Sequence, residues 1–440
     1  MGIFFFCFFL KLSRLSTDGK TNKKYSRSIK MLSLKLKDTA TPASKRMRQL
    51  QQKILGSIGV QESELRELFA VNSFDADLVG SKNCENLIGS VEVPVGLAGP
   101  LKAEVGFIGF NSEKKEKLIL FLPLATTEGA LVASVNRGCK VLSEAGSLKI
   151  QVKKVGMSRA PVFGFDDMSE AVGFVEWLEE DGRFDQIKKV CEKTSSHLKL
   201  QNFQTWQVGR SVFVRFVFDT DQAMGMNMVT IALDNLWKKM LKSYPDIKLI
   251  SLSGNMCVDK KSSALNRLLG RGYEVQAEAV LSAEVLETIL KTNSDIFFQT
   301  YYWKNVVGSN TAGSLNLNMH AANMVAAVFL ATGQDMAHVV ESSQGSLYVE
   351  KQGGGDLYLT LRMPNLNLGT VGGGTSLPAF SQARNLILQA AGQFQKVESR
   401  HLAAAVAGTV LAGEISGLAA LSSNSLAGAH QTLARGEVKK

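Results

Sequence analysis

Cysteine and histidine are scarce, five of each in 440 residues. Cys7, Cys84, Cys139, Cys191 and Cys257 are widely separated, odd in number and without a CxxC spacing. That excludes a zinc ribbon and a disulfide framework, and it fits a reducing compartment where the thiols act as small apolar groups. No GxGxxG opens a first βαβ unit, so the Rossmann fingerprint is missing. Even "HLAAAVAGTVLAGEISGLAALSSNSLAGAH" is interrupted by Glu414 and a Ser/Asn cluster, short of an unbroken run of roughly 18 apolar residues. Integral membrane association is therefore not expected. No internal repeat is visible.

Acidic residues are nearly absent from the start of the chain. Residues 1–50 hold twelve Lys or Arg against Asp18 and Asp38, a balance of +10 that equals the charge of the whole chain, so the other 390 residues sum to zero. A neutral body argues against nucleic-acid binding. Within this start, "MGIFFFCFFL" offers an apolar stretch of about nine residues, where a span needs roughly 20. Positive charge follows that stretch, whereas a secretory signal puts it first. A Ser/Lys/Arg-rich, acid-poor tail over 1–44 has transit-peptide composition and equally suits a solvated tail. Mitochondrial targeting is expected in the first case and a cytosolic, soluble protein in the second.

What remains is rich enough for a large core, with 45% hydrophobic residues. "KRMRQLQQKILGSIGVQESELRELF" has the pattern of an amphipathic helix broken near Gly56. "KLILFLPLATTEG" reads as a buried strand feeding a helix that Thr126 caps and that holds Glu128. Between 160 and 251, "PVFGF", "DMSEAVGFVEWLEEDGRFDQIKKVCEKTSS", "QVGRSVFVRFVFDT", "MNMVTIALDNLWKKMLKSY" and "IKLISLSG" alternate strand, helix, strand, helix, strand. That suggests a split βαβ unit in an α+β protein.

Several motifs bear chemistry. "LSGNMCVDKKSSALN" sets Ser253, Asn255, Asp259, Lys260 and Lys261 after a predicted strand; paired lysines can hold an anion and polarise a carbonyl, although KK in a solvated loop is commonplace. His320 and Asn323 are spaced to share a helix face. Asp335 follows the helix-breaking Gly333, a usual place for a turn residue. Gly372 to Gly374 form a loop whose amides could approach an anion. "DQAMGMNMV" opens a helix whose N-terminus could receive one, while such methionines are more often core. His430 and Arg435 edge a small-residue helix, where a structural histidine is common. Glu128 stands alone in apolar surroundings, where burial would favour its protonated, proton-donating form.

Taken together, "ENLIGSVEVPVGLAGPL", "ATTEGALVASVNRGC", "GMSRAPV", "AMGMNM", "SGNMCVDKK", "HAAN", "GQD", "GTVGGGT" and "GTVLAGE" resemble the catalytic part of the 3-hydroxy-3-methylglutaryl-coenzyme A (HMG-CoA) reductases of the eukaryotic/archaeal class, without their membrane domain. The likeness runs from about Glu85 to Arg435. It implies a helical piece at 45–84 and a large helix-centred catalytic and CoA-binding domain from 85–159 and 252–440. A ferredoxin-like NADPH domain at 160–251 is inserted into it. The implied reaction is reduction of the thioester to mevalonate and CoA with two NADPH and no metal, in isoprenoid and sterol synthesis. A homodimer or homotetramer with shared active sites is implied, contacting through the ENLIG region.

The resemblance also assigns residues. Glu128, Lys260, Asp335 and His430 match the catalytic set, with Lys260 steadying the oxyanion and His430 protonating the leaving thiolate. Arg159, Ser253, Lys261, Lys304 and Asn323 match groups around the hydroxymethylglutaryl part. Ser134, Asn136 and Arg137 match coenzyme A contacts. Met224, Gly225, Met226, Asn227, Met228, Ser195, Gly372, Gly373 and Arg435 match cofactor contacts. Departures are visible. Gln222 stands where Asp is usual, and Ser195-Ser196 where Ser-Arg reads the 2′-phosphate of NADPH; His197 and Lys199 are candidate substitutes. His338-Val339 replaces Gln-Asn, and Gly436 replaces a regulatory serine. Two rival readings stand beside this one: NAD-dependent mevalonate oxidation, and a catalytically idle acyl-CoA-binding protein.

Overall fold

The structure, a computed structural model, describes residues 41–58, 61–110, 113–244, 247–390 and 393–423. His430, Arg435, Gly436 and the tail before residue 41 lie outside the described residues. The chain divides into two compact units, Met1–Glu92 and Val93–Lys440.

In the first unit, helix α1 (Ala43–Ile58) runs straight through Gly56. A single mid-helix glycine costs only about 1 kcal/mol relative to alanine, too little to end a helix by itself. The helix ends at Ile58, two residues past Gly56 and so near the expected break, and a 3₁₀ turn at Glu62–Glu64 and a short helix at Arg66–Phe69 follow. Helix α2 (Ala76–Lys82) is capped by Asp75, whose carboxylate accepts from the N–H groups of Asp77 and Leu78. Gln51 of α1 donates to the carbonyls of Phe69 and Ile88 at 3.1 and 2.7 Å, fastening the ENLIG segment to the helix.

The second unit is built on a ten-stranded sheet. Its strands are β1 (Val95–Ile108), β2 (Glu113–Ala125), β3 (Lys149–Arg159), β4 (Val162–Gly164), β5 (Lys199–Val208), β6 (Ser211–Asp219), β7 (Lys248–Ser251), β8 (Gly272–Leu281), β9 (Ser346–Lys351) and β10 (Leu357–Leu366). They run in the order β7-β4-β6-β3-β8-β10-β9, with β1 paired to β2 and β3, and β5 to β6. Strand β3 joins two regions of this sheet. Its first part, Lys149 to Gly156, pairs with β8, and its last three residues pair with β6. Arg159 is thereby held where the two regions meet.

Two hydrophobic clusters correspond to those regions. The smaller gathers Phe163, Phe174, Phe216 and Phe218 with helices α4 (Met168–Glu179), α5 (Arg183–Glu192) and α6 (Met226–Ser243), taking α3 as Leu131–Ala145. Two readings of this stretch are corrected. The single helix expected before Ser195 is two helices joined at Asp181-Gly182, and "QVGRSVFVRFVFDT" is part of a hairpin, β5 turning at Gly209-Arg210 into β6.

The larger cluster wraps α8 (Ser399–Ser422), buried continuously from His401 to Ala420. This is the one helix among the described residues long and apolar enough to cross a membrane, and it lies wholly inside the protein. Alanine and glycine let its neighbours come close. A Cβ on Gly138 of α3 would fall 2.0 Å from the Ala412 carbonyl oxygen, so the two backbones touch. Glu414 is accommodated because its carboxylate accepts from the N–H groups of Met319 and His320 at 2.7 and 2.8 Å, at the start of α7 (Ala321–Thr332). Burial pushes its carboxyl above the ordinary range, against the opposing influence of His320 and those two amides.

Candidate active site

The loop after β7 brings the lysine pair to the end of β3. Within it Asn255, Val258 and Lys260 all adopt left-handed backbone conformations, at φ 64°, 46° and 58°. That geometry is uncommon for a non-glycine residue and an outlier for β-branched valine. Side chains of such loops need outside support, and this one has it. Asn266 donates to the Val258 carbonyl at 3.0 Å, and the Gly254 N–H donates to the Ala160 carbonyl at 2.6 Å.

Lys260 reaches the turn after α7. Its ammonium lies 3.0 Å from Asp335 Oδ2, with the two side chains 43% and 38% exposed. Asp335 also caps its own turn, accepting from the Ala337 N–H at 3.0 Å. Burial alone would raise its carboxyl. Lys260, the Ala337 amide and His338 outweigh that and hold it below the ordinary 3.8.

Glu128 is not where the apolar segment suggested. It is exposed, in the turn between β2 and α3, and its Oε1 accepts from Asn323 Nδ2 at 3.1 Å. Thr126 does not cap the helix; its hydroxyl accepts from the Glu128 N–H at 2.9 Å, and α3 begins later at Leu131. The apolar residues around Glu128 belong to the ends of β2 and α3, whose Leu124, Val135 and Cys139 face the core. His320 and Asn323 also part ways. His320 is the N-cap residue of α7 with its ring at the Gly413 carbonyl, 3.1 Å away, while Asn323 in the first turn points to Glu128.

Arg159 donates to Thr230 at 3.0 Å and to Ser253 at 3.4 Å, and sits 3.7 Å from Asp259. Lys261 is exposed and donates to the Asp259 carbonyl. Lys304 is exposed in a π-helical turn, Tyr302–Gly308. Ser134 and Arg137 turn toward α8. Both bond the Ser416 hydroxyl at 2.9 Å, and Arg137 also reaches the Ser416 carbonyl. Asn136 is exposed and accepts from the Gly99 N–H.

The glycine loop and the methionine loop lie side by side. Thr370 N–H donates to the Gln222 carbonyl at 2.8 Å, placing Gly372 and Gly373 next to the turn that leads to Met224. Gly225, at φ 89°, makes the left-handed turn into α6, which begins Met226-Asn227-Met228. Helix N-terminus and open glycine backbone together fit a dinucleotide's phosphates. Ser195 lies at another turn, where its hydroxyl accepts from the His197 N–H and the His197 ring pairs with Asp221 at 2.9 Å. Lys199 is engaged with Glu192. Gln222 accepts from both the backbone and the hydroxyl of Ser399, at 2.8 and 3.0 Å, and so fixes the start of α8.

The family model for hydroxymethylglutaryl-coenzyme A reductase matches residues 43–435. The chain belongs to this family. It is similar to the 3-hydroxy-3-methylglutaryl-coenzyme A reductase of Pyrococcus abyssi, 44% identical over 82% of this chain and 87% of that one. Reductase 1 of Dictyostelium discoideum is 41% identical over 81% of this chain and 63% of its own length. A class II 3-hydroxy-3-methylglutaryl-CoA reductase from Streptococcus pneumoniae, solved with NADPH in open conformations, superposes with a TM-score of 0.60 at 17% identity, over 87% of this chain and 98% of that one. The fold is thus that of the HMG-CoA reductases, and the chain is an oxidoreductase of their family.

Next to the Lys260–Asp335 pair lies a charged cluster that sequence reasoning only touched. Arg271, fully buried, donates from Nη1 to Glu341 at 2.7 Å and lies 3.0 Å from Asp259; its Nε and Nη2 bond Ser158. Asp259, His338 and Glu341 offer ligand atoms within 4.8 Å of one another, as a metal site would. The single Arg271 guanidinium bridges the Asp259 and Glu341 carboxylates. Arg271 and Glu341 were missed because they are 70 residues apart in sequence. The only local hint is a pair of charges inside otherwise apolar or small-residue stretches.

Proposed function

We propose that this chain reduces (S)-3-hydroxy-3-methylglutaryl-CoA to mevalonate and CoA using two NADPH per turnover, in isoprenoid and sterol synthesis. The observation that supports this most is Lys260 at 3.0 Å from Asp335, beyond the end of α7, with Glu128 held by Asn323 in the first turn of the same helix. A bound nicotinamide cofactor would supply the hydride for each of the two reductions. Negative charge then builds on the substrate's carbonyl oxygen, and the Lys260 ammonium stabilises it. Asp335 holds that ammonium in place. Glu128, oriented by Asn323 at the other end of α7, exchanges a proton with the same oxygen across the interface of a homo-oligomer with shared sites. His430 protonates the departing thiolate. Arg159, Ser253, Lys261 and Lys304 hold the hydroxymethylglutaryl part, and Ser134, Asn136 and Arg137 the CoA.

In this reading 160–251 is the cofactor domain, with Met224 to Met228, Ser195, Gly372, Gly373 and Arg435 at NADPH. The large domain comprises 85–159 and 252–440, and 45–84 is a helical N-terminal domain. The placement of Glu128–Asn323 and Lys260–Asp335 at opposite ends of α7 supports a homodimer or homotetramer with shared active sites. The enzyme works in solution, in mitochondria if residues 1–44 target it there and otherwise in the cytosol.

One observation favours a second reading, NAD-dependent mevalonate oxidation. Asp221 stands beside the Ser195 turn, paired with His197, and a carboxylate suits a ribose 2′-hydroxyl better than a 2′-phosphate. Thioester-dependent oxidation of NADPH, compared with NADH and with NAD plus mevalonate, decides between them. Two NADPH consumed per mevalonate formed supports the first reading. Turnover only with NAD and mevalonate overturns it.

A further inference from the structure

Asp335 Oδ2 has a second neighbour besides Lys260. His338 is fully buried, one turn further along, and its Nε2 lies 3.6 Å from Asp335 Oδ2, the same oxygen that meets the Lys260 ammonium. On the other edge of the ring, Nδ1 is 2.9 Å from Glu341 Oε1. A carboxylate only accepts, so Glu341 fixes the proton on Nδ1. Arg271 at 2.7 Å and Asn367 at 2.6 Å donate to the same Glu341 oxygen and keep it in place. The Nε2 atom is buried with no hydrogen-bond partner of its own. An unpaired polar atom is costly inside a protein, and the nearest group that can share a proton with it is Asp335.

We propose that His338 is a positioning residue for Asp335: Glu341 orients the imidazole so that Nε2 faces Asp335, and a proton on Nε2 ties Asp335 into line with Lys260. The proposal rests on the reading of Lys260 and Asp335 given above. The hydrogen bond runs from Nε2–H to the ionised Asp335 carboxylate, which keeps its charge against the Lys260 ammonium.

The charged groups around the ring are Asp335 and Glu341 on its own segment and Asp259, 3.9 Å from Nδ1, on the lysine loop. Arg271 lies behind Glu341 and Asp259, Arg159 behind Asp259, and Lys260 behind Asp335. A protonated ring therefore faces three carboxylates, with each cation one group removed. It is one of the influences that hold the Asp335 carboxyl down.

His338→Gln keeps a polar side chain there and removes the imidazole. In the full-length enzyme, kcat at neutral pH is expected to fall about tenfold, the scale of one hydrogen bond to a charged group, with KM for the thioester within about twofold. The acid limb of the kcat–pH profile is expected to move to higher pH, because Asp335 loses a positive neighbour. Glu341→Gln, which leaves the ring but frees its tautomer, is expected to move the limb the same way, and it serves if the first variant does not fold. An acid limb that stays in place in a folded variant overturns the proposal, even where kcat drops, because lost packing alone would do that. Lys260→Met measured alongside separates the two levels. If it keeps full activity, the underlying site reading fails. If it is inactive while His338→Gln leaves the limb unmoved, only the role of His338 fails.

Discussion

The Lys260 ammonium and Asp335 Oδ2 lie 3.0 Å apart, although 75 positions separate them in sequence. One comes from a loop with three left-handed non-glycine residues, the other from the turn that ends α7. Both adjoin the buried Arg271, Glu341 and His338 and the partly buried Asp259, which are joined by ion pairs and hydrogen bonds.

Asp335 makes stability depend on pH in the acid range. Its carboxyl is depressed in the folded chain, so its contribution is present above the unfolded value, near 3.8, and is lost as pH falls through the lower folded value. Thermal melts from pH 6 to pH 3 should show a shallower decline for Asp335→Asn than for the wild type.

Glu414 has the opposite sign. Burial raises its carboxyl, so the folded chain holds a proton that the unfolded chain has released. Its contribution to stability therefore falls as pH rises from 4.5 toward the folded value. Glu414→Gln should flatten that part of the curve. Glu414→Leu strands the Met319 and His320 amides and should cost about 1–3 kcal/mol for each in urea denaturation.

Gly138→Ala places a methyl group against the Ala412 backbone, where no flexible side chain can yield. Overpacking of this kind costs about 1–3 kcal/mol, and the midpoint of urea unfolding should fall accordingly.

Asp221 and His197 test cofactor choice. Asp221→Asn removes negative charge beside the Ser195 turn. It should lower KM for NADPH by a few fold while changing KM for NADH less, in keeping with about 1 kcal/mol or less for an exposed charge. Equal changes for both cofactors would place this turn away from the 2′-phosphate.

Local pattern made parts of this molecule readable. The motif order led to Lys260, Asp335, Glu128 and Asn323, and the structure brings each pair within hydrogen-bond reach. The α+β class was legible from strand and helix periods between 160 and 251. Glu128 was misplaced because apolar composition marks a segment, not a side chain, and here the burial belongs to Leu124 and Val135 on either side of an exposed turn. The β5–β6 hairpin was read as one strand because a two-residue turn at Gly209-Arg210 leaves little trace in a run of valine and phenylalanine. Arg271 and Glu341 have no local signature, since their meaning lies in a contact across 70 residues.

Lys260→Met, in a sample whose circular dichroism and melting point match the wild type, tests the central claim most directly. Pre-steady-state rates of thioester reduction and of reduction of added mevaldehyde should both drop by about 10²–10³-fold, as when one preorganised oxyanion donor is removed. Wild-type rates for both steps would contradict the account.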